Sequence, residues 1–235
     1  GLAFYTGSGQ NILNSDAFAS LDLAGTPNAW GSSAYGGSNA VLQASVPANR
    51  QFDQIVATMD AFAGLRSDGS VASWGATADG GANAPTGSGF VSISSTLRAF
   101  AALKENGSIA AWGDSGSGGS GAPTTSGFIK IFAGAEAFVA MKSDGSLSVW
   151  GDASRGGANG PVGTGFTQVI STRYAFAALR NDGTISVWGN TDYGASGAPT
   201  GSGFVRIYSG GNAFAALKAD GSISVWGHTQ WGGTN

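Results

Sequence analysis

A Trp-Gly dipeptide returns every 38 residues, at Trp74, Trp112, Trp150, Trp188 and Trp226, with an earlier copy at Trp30. An Ala-Phe dipeptide keeps step with it, at Phe18, Phe62, Phe100, Phe138, Phe176 and Phe214. Proline marks the same beat at Pro47, Pro85, Pro123, Pro161 and Pro199. A unit of this size buries too little surface to be stable alone, so the copies must cover one another. The tryptophan-to-proline distance is 11 residues in four copies and 17 in the first, which places an insertion of about six residues between Gly37 and Pro47.

One unit, residues 165–200, reads GFTQVISTRYAFAALRNDGTISVWGNTDYGASGAPT. It divides into strands at Phe166–Ile170, Ala175–Arg180 and Thr184–Trp188, with a short fourth at 197–200. Asn181-Asp182-Gly183 joins the second strand to the third. The same slot holds SDGS at 67–70, ENGS at 105–108, SDGS at 143–146 and ADGS at 219–222. Asp-Gly and Asn-Gly favour tight hairpins, because both turn residues tolerate positive φ. No helical period of 3.6 residues is expected anywhere in the chain.

The second strand, AFAALR, is apolar on both faces with small alanines interleaved. A sheet with one wet face would alternate apolar and polar residues, so each small sheet must be sandwiched between neighbours. Radial stacking of blades satisfies that requirement and leaves only short edges. The expected fold is all-β: a six-bladed β-propeller of ~38-residue repeats, one domain over residues 1–235, its repeats starting near 10, 52, 90, 128, 166 and 204. A linear β-solenoid competes, and would need a capping segment at each end. The ends look complementary instead. The last copy stops at HTQWGGTN after its third strand, and FYTGSG at 4–9 aligns with APTGSG at 84–89. Leu2–Thr6 is therefore expected to complete the sixth blade and close the ring, hiding an edge strand.

Composition narrows the function classes. Forty-one glycines would fit disorder, but 42% apolar residues and seven tryptophans supply a core. A net charge of −3 lacks the basic footprint of a nucleic-acid binder. Cysteine is absent, which excludes disulfides and thiolate metal sites. No apolar run approaches the ~20 residues of a membrane-spanning helix. The chain starts at Gly1 without Met or a leader-like stretch, which reads as a boundary set by processing or by where the sequence was cut. Low charge and abundant small polar residues predict a secreted, cell-surface or organelle-lumenal setting.

Comparison of the six copies separates constant slots from variable ones. The slot five residues after the repeat tryptophan holds Tyr35, Asp79, Ser117, Arg155, Tyr193 and Trp231. The slot before Ala-Phe holds Asp16, Asp60, Arg98, Glu136, Tyr174 and Asn212. Up-and-down strand order puts both at one end of each blade, opposite the constant hairpins. Tyr, Trp and Arg are the residue types enriched at binding hot spots, and loops on a rigid scaffold are where binding usually resides. The candidate partner-binding residues are Tyr35, Asp79, Arg98, Glu136, Arg155, Arg173, Tyr174, Tyr193, Asn212, His228 and Trp231. The insertion at 38–46 is expected to emerge toward the same face, either to meet a partner or to cover a gap left by Pro27.

Catalytic chemistry finds little support. GDSGSGG at 113–119 has the look of a serine-nucleophile loop, yet GDASRGG and GNTDYGA occupy the same slot in the next two copies. His228 is the single histidine, and a triad needs a base held against its nucleophile. No metal site is expected, and the acids Asp114, Asp152 and Asp192 read as solvated loop residues. Asn106-Gly107-Ser108 matches a glycosylation sequon but belongs to a hairpin.

The pattern GF-x-x-I…AFAAL-x-x-DGS-I-x-x-WG resembles the regulator-of-chromosome-condensation repeat over residues 10–235. The short unit, and the Ala-Pro ahead of Ser-Gly-Phe, are most similar to bacterial members of that group, including propeller-type β-lactamase inhibitory proteins, and to bacterial and protist surface repeats. Two features depart from the group: Ala-Phe stands where a His often precedes the Ala-Leu strand, and six copies are present where the best-known relatives have seven blades. The resemblance implies a protein partner bound over one face. The expected function is that of a non-enzymatic binding propeller without a cofactor, acting as an inhibitor, an adhesion module or a peripheral subunit of a larger assembly. Glycan binding is the alternative, since Tyr and Trp beside Asp and Asn suit sugar stacking.

Overall fold

The computed structural model describes residues 14, 16–46 and 51–233. The chain packs as two compact units, Gly1–Ser126 and Gly127–Asn235. The proposed closing strand, Leu2–Thr6, lies outside the described residues. No helix among the described residues is long and apolar enough to cross a membrane.

Unit 1 holds three sheets. The first pairs Ala17–Leu21 with Pro27–Gly31. The second runs Gln54–Ala57, Ala61–Leu65, Val71–Gly75, and the third Phe90–Ser95, Ala99–Lys104, Ile109–Gly113. Unit 2 holds three more: Phe128–Ala133, Ala137–Lys142, Leu147–Gly151; then Phe166–Ser171, Ala175–Arg180, Ile185–Gly189; then Phe204–Ser209, Ala213–Lys218, Ile223–Gly227. These are blades 1 to 6: among the described residues the first is a two-stranded hairpin and the other five are three-stranded antiparallel meanders.

The spacing from repeat phenylalanine to repeat tryptophan is explained by register. Phe176 lies opposite Trp188 across the hairpin, and their rings stack at 5.4 Å. The same pairing recurs in every blade, from Phe18–Trp30 at 5.9 Å to Phe138–Trp150 at 5.1 Å. Opposed aromatic pairs of this kind are the unit of sheet stabilisation.

Successive blades lock through a glycine. Trp226 Nε1 donates to the Gly194 carbonyl at 3.0 Å, and a Cβ on Gly194 would stand 2.6 Å from Cδ2 of Phe214. Only glycine lets the next blade's aromatic pair come so close. Gly156 receives Trp188 in the same way at 3.1 Å, and Gly80 receives Trp112 at 3.0 Å. The alanines of the central strands, such as Ala175 and Ala177, are fully buried between blades. A further contact closes the hairpin end of blades 2 to 6: the cation after strand two sits over the phenylalanine that leads strand one, as Arg180 over Phe166 (4.4 Å) and Lys218 over Phe204 (4.9 Å).

Two expectations are corrected. The fourth strand at 197–200 is not a strand, and the complete sheets are three-stranded. Pro199 lacks the N–H a ladder needs, and Gly197 turns at φ +76°. The insertion forms a helix, Asn39–Ser45, capped by the Ser38 side chain accepting from the Ala40 N–H. Leu42 and Val46 are buried with Phe52, Phe62 and Trp74, and Asn39 Oδ1 accepts from the Ala29 N–H at 2.8 Å. Of the two roles expected for the insertion, its apolar residues serve as cover. Trp74 Nε1 is buried with no acceptor among the described residues, unlike Trp112, Trp188 and Trp226.

Candidate functional site

One backbone bond fixes the two variable slots beside each other. The residue two after each repeat tryptophan donates its N–H to the carbonyl of the residue before Ala-Phe. Examples are Asn190 to Tyr174 (2.9 Å), Asp152 to Glu136 (2.9 Å) and His228 to Asn212 (3.0 Å). The glycine between them is obligatory: Gly189 has φ +106°, and a Cβ there would stand 2.7 Å from the Tyr174 carbonyl oxygen. In blades 3 to 6 the following short turn is capped by the side chain of that same donor residue. Asp152 and Asn190 accept from the N–H two residues on, and Asp114 from the Ser117 N–H. Asp114 and Asp152 are thus turn caps rather than merely solvated acids, and Ser115 belongs to a capped loop like its counterparts. His228 caps its turn through Nδ1, which accepts from the Gln230 N–H at 3.3 Å.

In unit 2 the variable side chains form a continuous run. Glu136 pairs with Arg155. The Arg155 guanidinium lies 4.4 Å over the Tyr174 ring, and Arg173 approaches the same ring at 5.1 Å. Tyr174 meets Tyr193 edge to face at 4.8 Å, and Tyr193 meets His228 edge to face at 6.3 Å. Arg173 is exposed, Tyr174, Tyr193 and Asn212 are half-buried, and Trp231 is 66% exposed on the neighbouring turn. Cation–π and edge-to-face contacts hold these side chains at low entropic cost to a binding event.

Unit 1 presents a different surface. Arg98 Nε donates to Asp79 Oδ1 at 2.6 Å, with Asp114 at 3.9 Å from the same guanidinium. Asp79 is 4% exposed, so it orients Arg98 rather than facing solvent. Burial, a hydrogen bond with Asp79 and the charges of Asp79 and Asp16 push the Asp60 carboxyl above its usual range, opposed by Arg98. Tyr35 is half-buried against the Phe62 and Trp74 cluster, and its carbonyl accepts from Asn14 Nδ2 at 2.9 Å.

Sequence reasoning missed the buried residues beneath these loops. Thr172 Oγ1 donates to the Tyr193 carbonyl at 2.9 Å and accepts from the Ala175 N–H at 3.1 Å. Thr96 binds the Ser117 carbonyl, and Thr58 the Asp79 carbonyl, in the same manner. Gln168 was also missed: its side-chain amide both donates to the Ile207 carbonyl (2.7 Å) and accepts from the Ile207 N–H (3.0 Å), joining blades 5 and 6. Among the described residues, no three His, Cys, Asp or Glu are placed to hold a metal ion.

No family model matches the chain, and no curated protein matches it. Solved structures do. The ectodomain of the Physcomitrella patens receptor kinase CR4 aligns over 90% of this chain and 59% of its own length, at 21% identity and TM-score 0.58. The ectodomain of the Arabidopsis thaliana receptor kinase ACR4 aligns over 90% and 76%, at 22% identity and TM-score 0.56. Prp20p of Saccharomyces cerevisiae, whose structure was described with its binding to Gsp1p and histones, aligns over 92% and 70%, at 17% identity and TM-score 0.59. Prp20 is the yeast counterpart of the chromosome-condensation regulator. The chain therefore has a β-propeller fold like that of the chromosome-condensation regulators. The chain spans less than two thirds of the moss ectodomain.

Proposed function

We propose that this chain is a non-enzymatic protein-binding propeller that engages its partner through the variable-loop end of blades 4 to 6. The observation that carries the reading is the run Glu136–Arg155–Tyr174–Tyr193–His228, in which each side chain touches the next. Half-buried aromatics flanked by guanidinium groups, on turns pinned by backbone bonds, have the chemistry of binding hot spots. Propellers of similar fold that bind proteins, such as Prp20p with Gsp1p and histones, support the same class of activity. The role is that of an inhibitor, an adhesion module or a subunit of a larger assembly, in a secreted, surface or lumenal setting.

The test compares capture of proteins from the native source by the wild-type chain, by a Tyr174→Ala/Tyr193→Ala/Trp231→Ala variant, and by an Asp182→Ala/Asp220→Ala variant at the opposite hairpins. The reading expects the first variant to lose the captured protein and the second to keep it. The reverse pattern contradicts it. A glycan array that binds the wild type and not the first variant would replace the protein partner with a sugar.

A further inference from the structure

The slot two residues after each repeat tryptophan decides how the following turn is held. Asp114 Oδ1 accepts from the Ser117 N–H at 2.9 Å, Asp152 Oδ1 from the Ser154 N–H at 2.8 Å, and Asn190 Oδ1 from the Asp192 N–H at 3.0 Å. These acceptors are carboxylate and carboxamide oxygens, which accept throughout the neutral and mildly acidic range. In blade 6 the slot holds His228, and the acceptor is a ring nitrogen, Nδ1, at 3.3 Å from the Gln230 nitrogen. Blades 1 and 2 form the same turn after Ser32 and Ala76 with no side-chain cap. The cap therefore tightens the turn without being needed to form it.

An imidazole nitrogen accepts a hydrogen bond only while it carries no proton. The blade-6 cap thus needs a neutral His228 with its proton on Nε2. A second proton goes to Nδ1, where the new N–H faces the Gln230 N–H. It also sets a positive charge at the end of the turn where backbone N–H groups point outward. Both effects open the cap. The blade-5 turn presents Tyr193, which meets the His228 ring edge to face at 6.3 Å, and the exposed Asp192 beside it. The loop at 210–212 presents the Asn212 carbonyl, which accepts from the His228 backbone N–H at 3.0 Å. The turn's own Thr229, Gln230 and Trp231 are uncharged. Among the described residues no carboxylate pairs with the imidazole to offset the loss of the cap.

We propose that this turn is a proton switch on the binding face, tight while His228 is neutral and loosened once His228 is protonated. The side chain it presents is Trp231, which is 66% exposed and whose backbone N–H donates to the His228 carbonyl at 3.0 Å. Loosening the turn releases Trp231 from its fixed place and frees the His228 end of the run through Tyr193. Partner affinity then falls as pH drops from about 8 to about 5, the span in which imidazoles change charge. The inference rests on the reading of blades 4 to 6 as the binding face and adds its regulation.

The test is NMR on the full, unbound chain. His228 is the single histidine, so its ring nitrogens are assigned without ambiguity. Long-range nitrogen–proton spectra near pH 8 are expected to show the proton on Nε2 and a bare Nδ1. Solvent exchange of the Gln230 amide, taken relative to its intrinsic rate, is expected to rise about fivefold between pH 8 and pH 5, the ratio that matches loss of one side-chain cap. The Asp192 amide, capped by Asn190, should hold a constant relative rate over the same span. His228→Asn installs the blade-5 cap in blade 6 and should make the Gln230 rate equally constant. Because the unbound chain is measured, failure here leaves the binding face standing, whereas failure of the capture comparison, made at one pH, strikes the face itself. A proton on Nδ1 near pH 8 overturns the proposal. So does a Gln230 relative rate that ignores pH, or one that keeps its pH dependence in His228→Asn.

Discussion

The Thr172 hydroxyl reaches the Tyr193 carbonyl at 2.9 Å, tying the base of one variable loop to the crest of the other. The Thr172 hydroxyl is buried and the bond partly so, and its loss removes a donor from that carbonyl. Thr172→Val keeps the shape and removes the donor. It is expected to cost about 1–3 kcal/mol, read by denaturant unfolding. Hydrogen exchange should quicken at residues 190–194 and stay unchanged at the hairpin 181–184.

The stacked pairs are the main apolar contribution between blades. Phe176 is fully buried against Trp188 and against the glycine of blade 4. Phe176→Ala is expected to destabilise by about 3–5 kcal/mol. Phe176→Leu, which keeps most of the volume, should cost clearly less in the same unfolding experiment.

Asp60 is an acid whose charge the fold disfavours. Its carboxyl is raised by burial, by the hydrogen bond with Asp79 and by neighbouring negative charge. A raised acid favours the fold while protonated and loses that contribution as pH climbs through its folded value. Asp60→Asn should therefore raise the melting temperature at neutral pH. The gain should vanish below about pH 3.9, where the carboxyl is protonated in both states. A loss of stability at neutral pH would show that Asp60 is held there as a useful charge.

The hairpins behave oppositely. Asp182 is lowered first by the Thr184 hydroxyl at 2.6 Å and then by the backbone N–H, and Asp220 by Ser222 in the same way. A lowered acid contributes stability above its unfolded value of about 3.9 and loses it as pH falls through the folded value. Carboxyl NMR titration should find both midpoints below that value, and Thr184→Ala should move the Asp182 midpoint upward.

The repeat, the hairpins and the adjacency of the variable slots were legible because each rests on a residue that every copy needs. Phe and Trp face each other across a hairpin, and the glycine after Trp makes room for a carbonyl. The helix Asn39–Ser45 was not legible: seven residues with two buried side chains nearby give no sustained period. The supporting threonines were hidden for another reason. The slot reads Asn14, Thr58, Thr96, Gly134, Thr172 and Gly210, so two copies carry no side chain there and the repeat comparison shows no constant residue. The Asp79–Arg98 pair joins slots in different copies, 19 residues apart, and no repeat comparison aligns them.

The most direct test is hydrogen exchange on the chain bound to its captured protein. Binding through the variable loops of unit 2 predicts slowed exchange at residues 152–156, 172–175, 190–194 and 228–232, with the hairpins at 181–184 and 219–222 unchanged. Protection confined to the hairpins, with the loops exchanging as in the unbound chain, would contradict the assignment of the binding face.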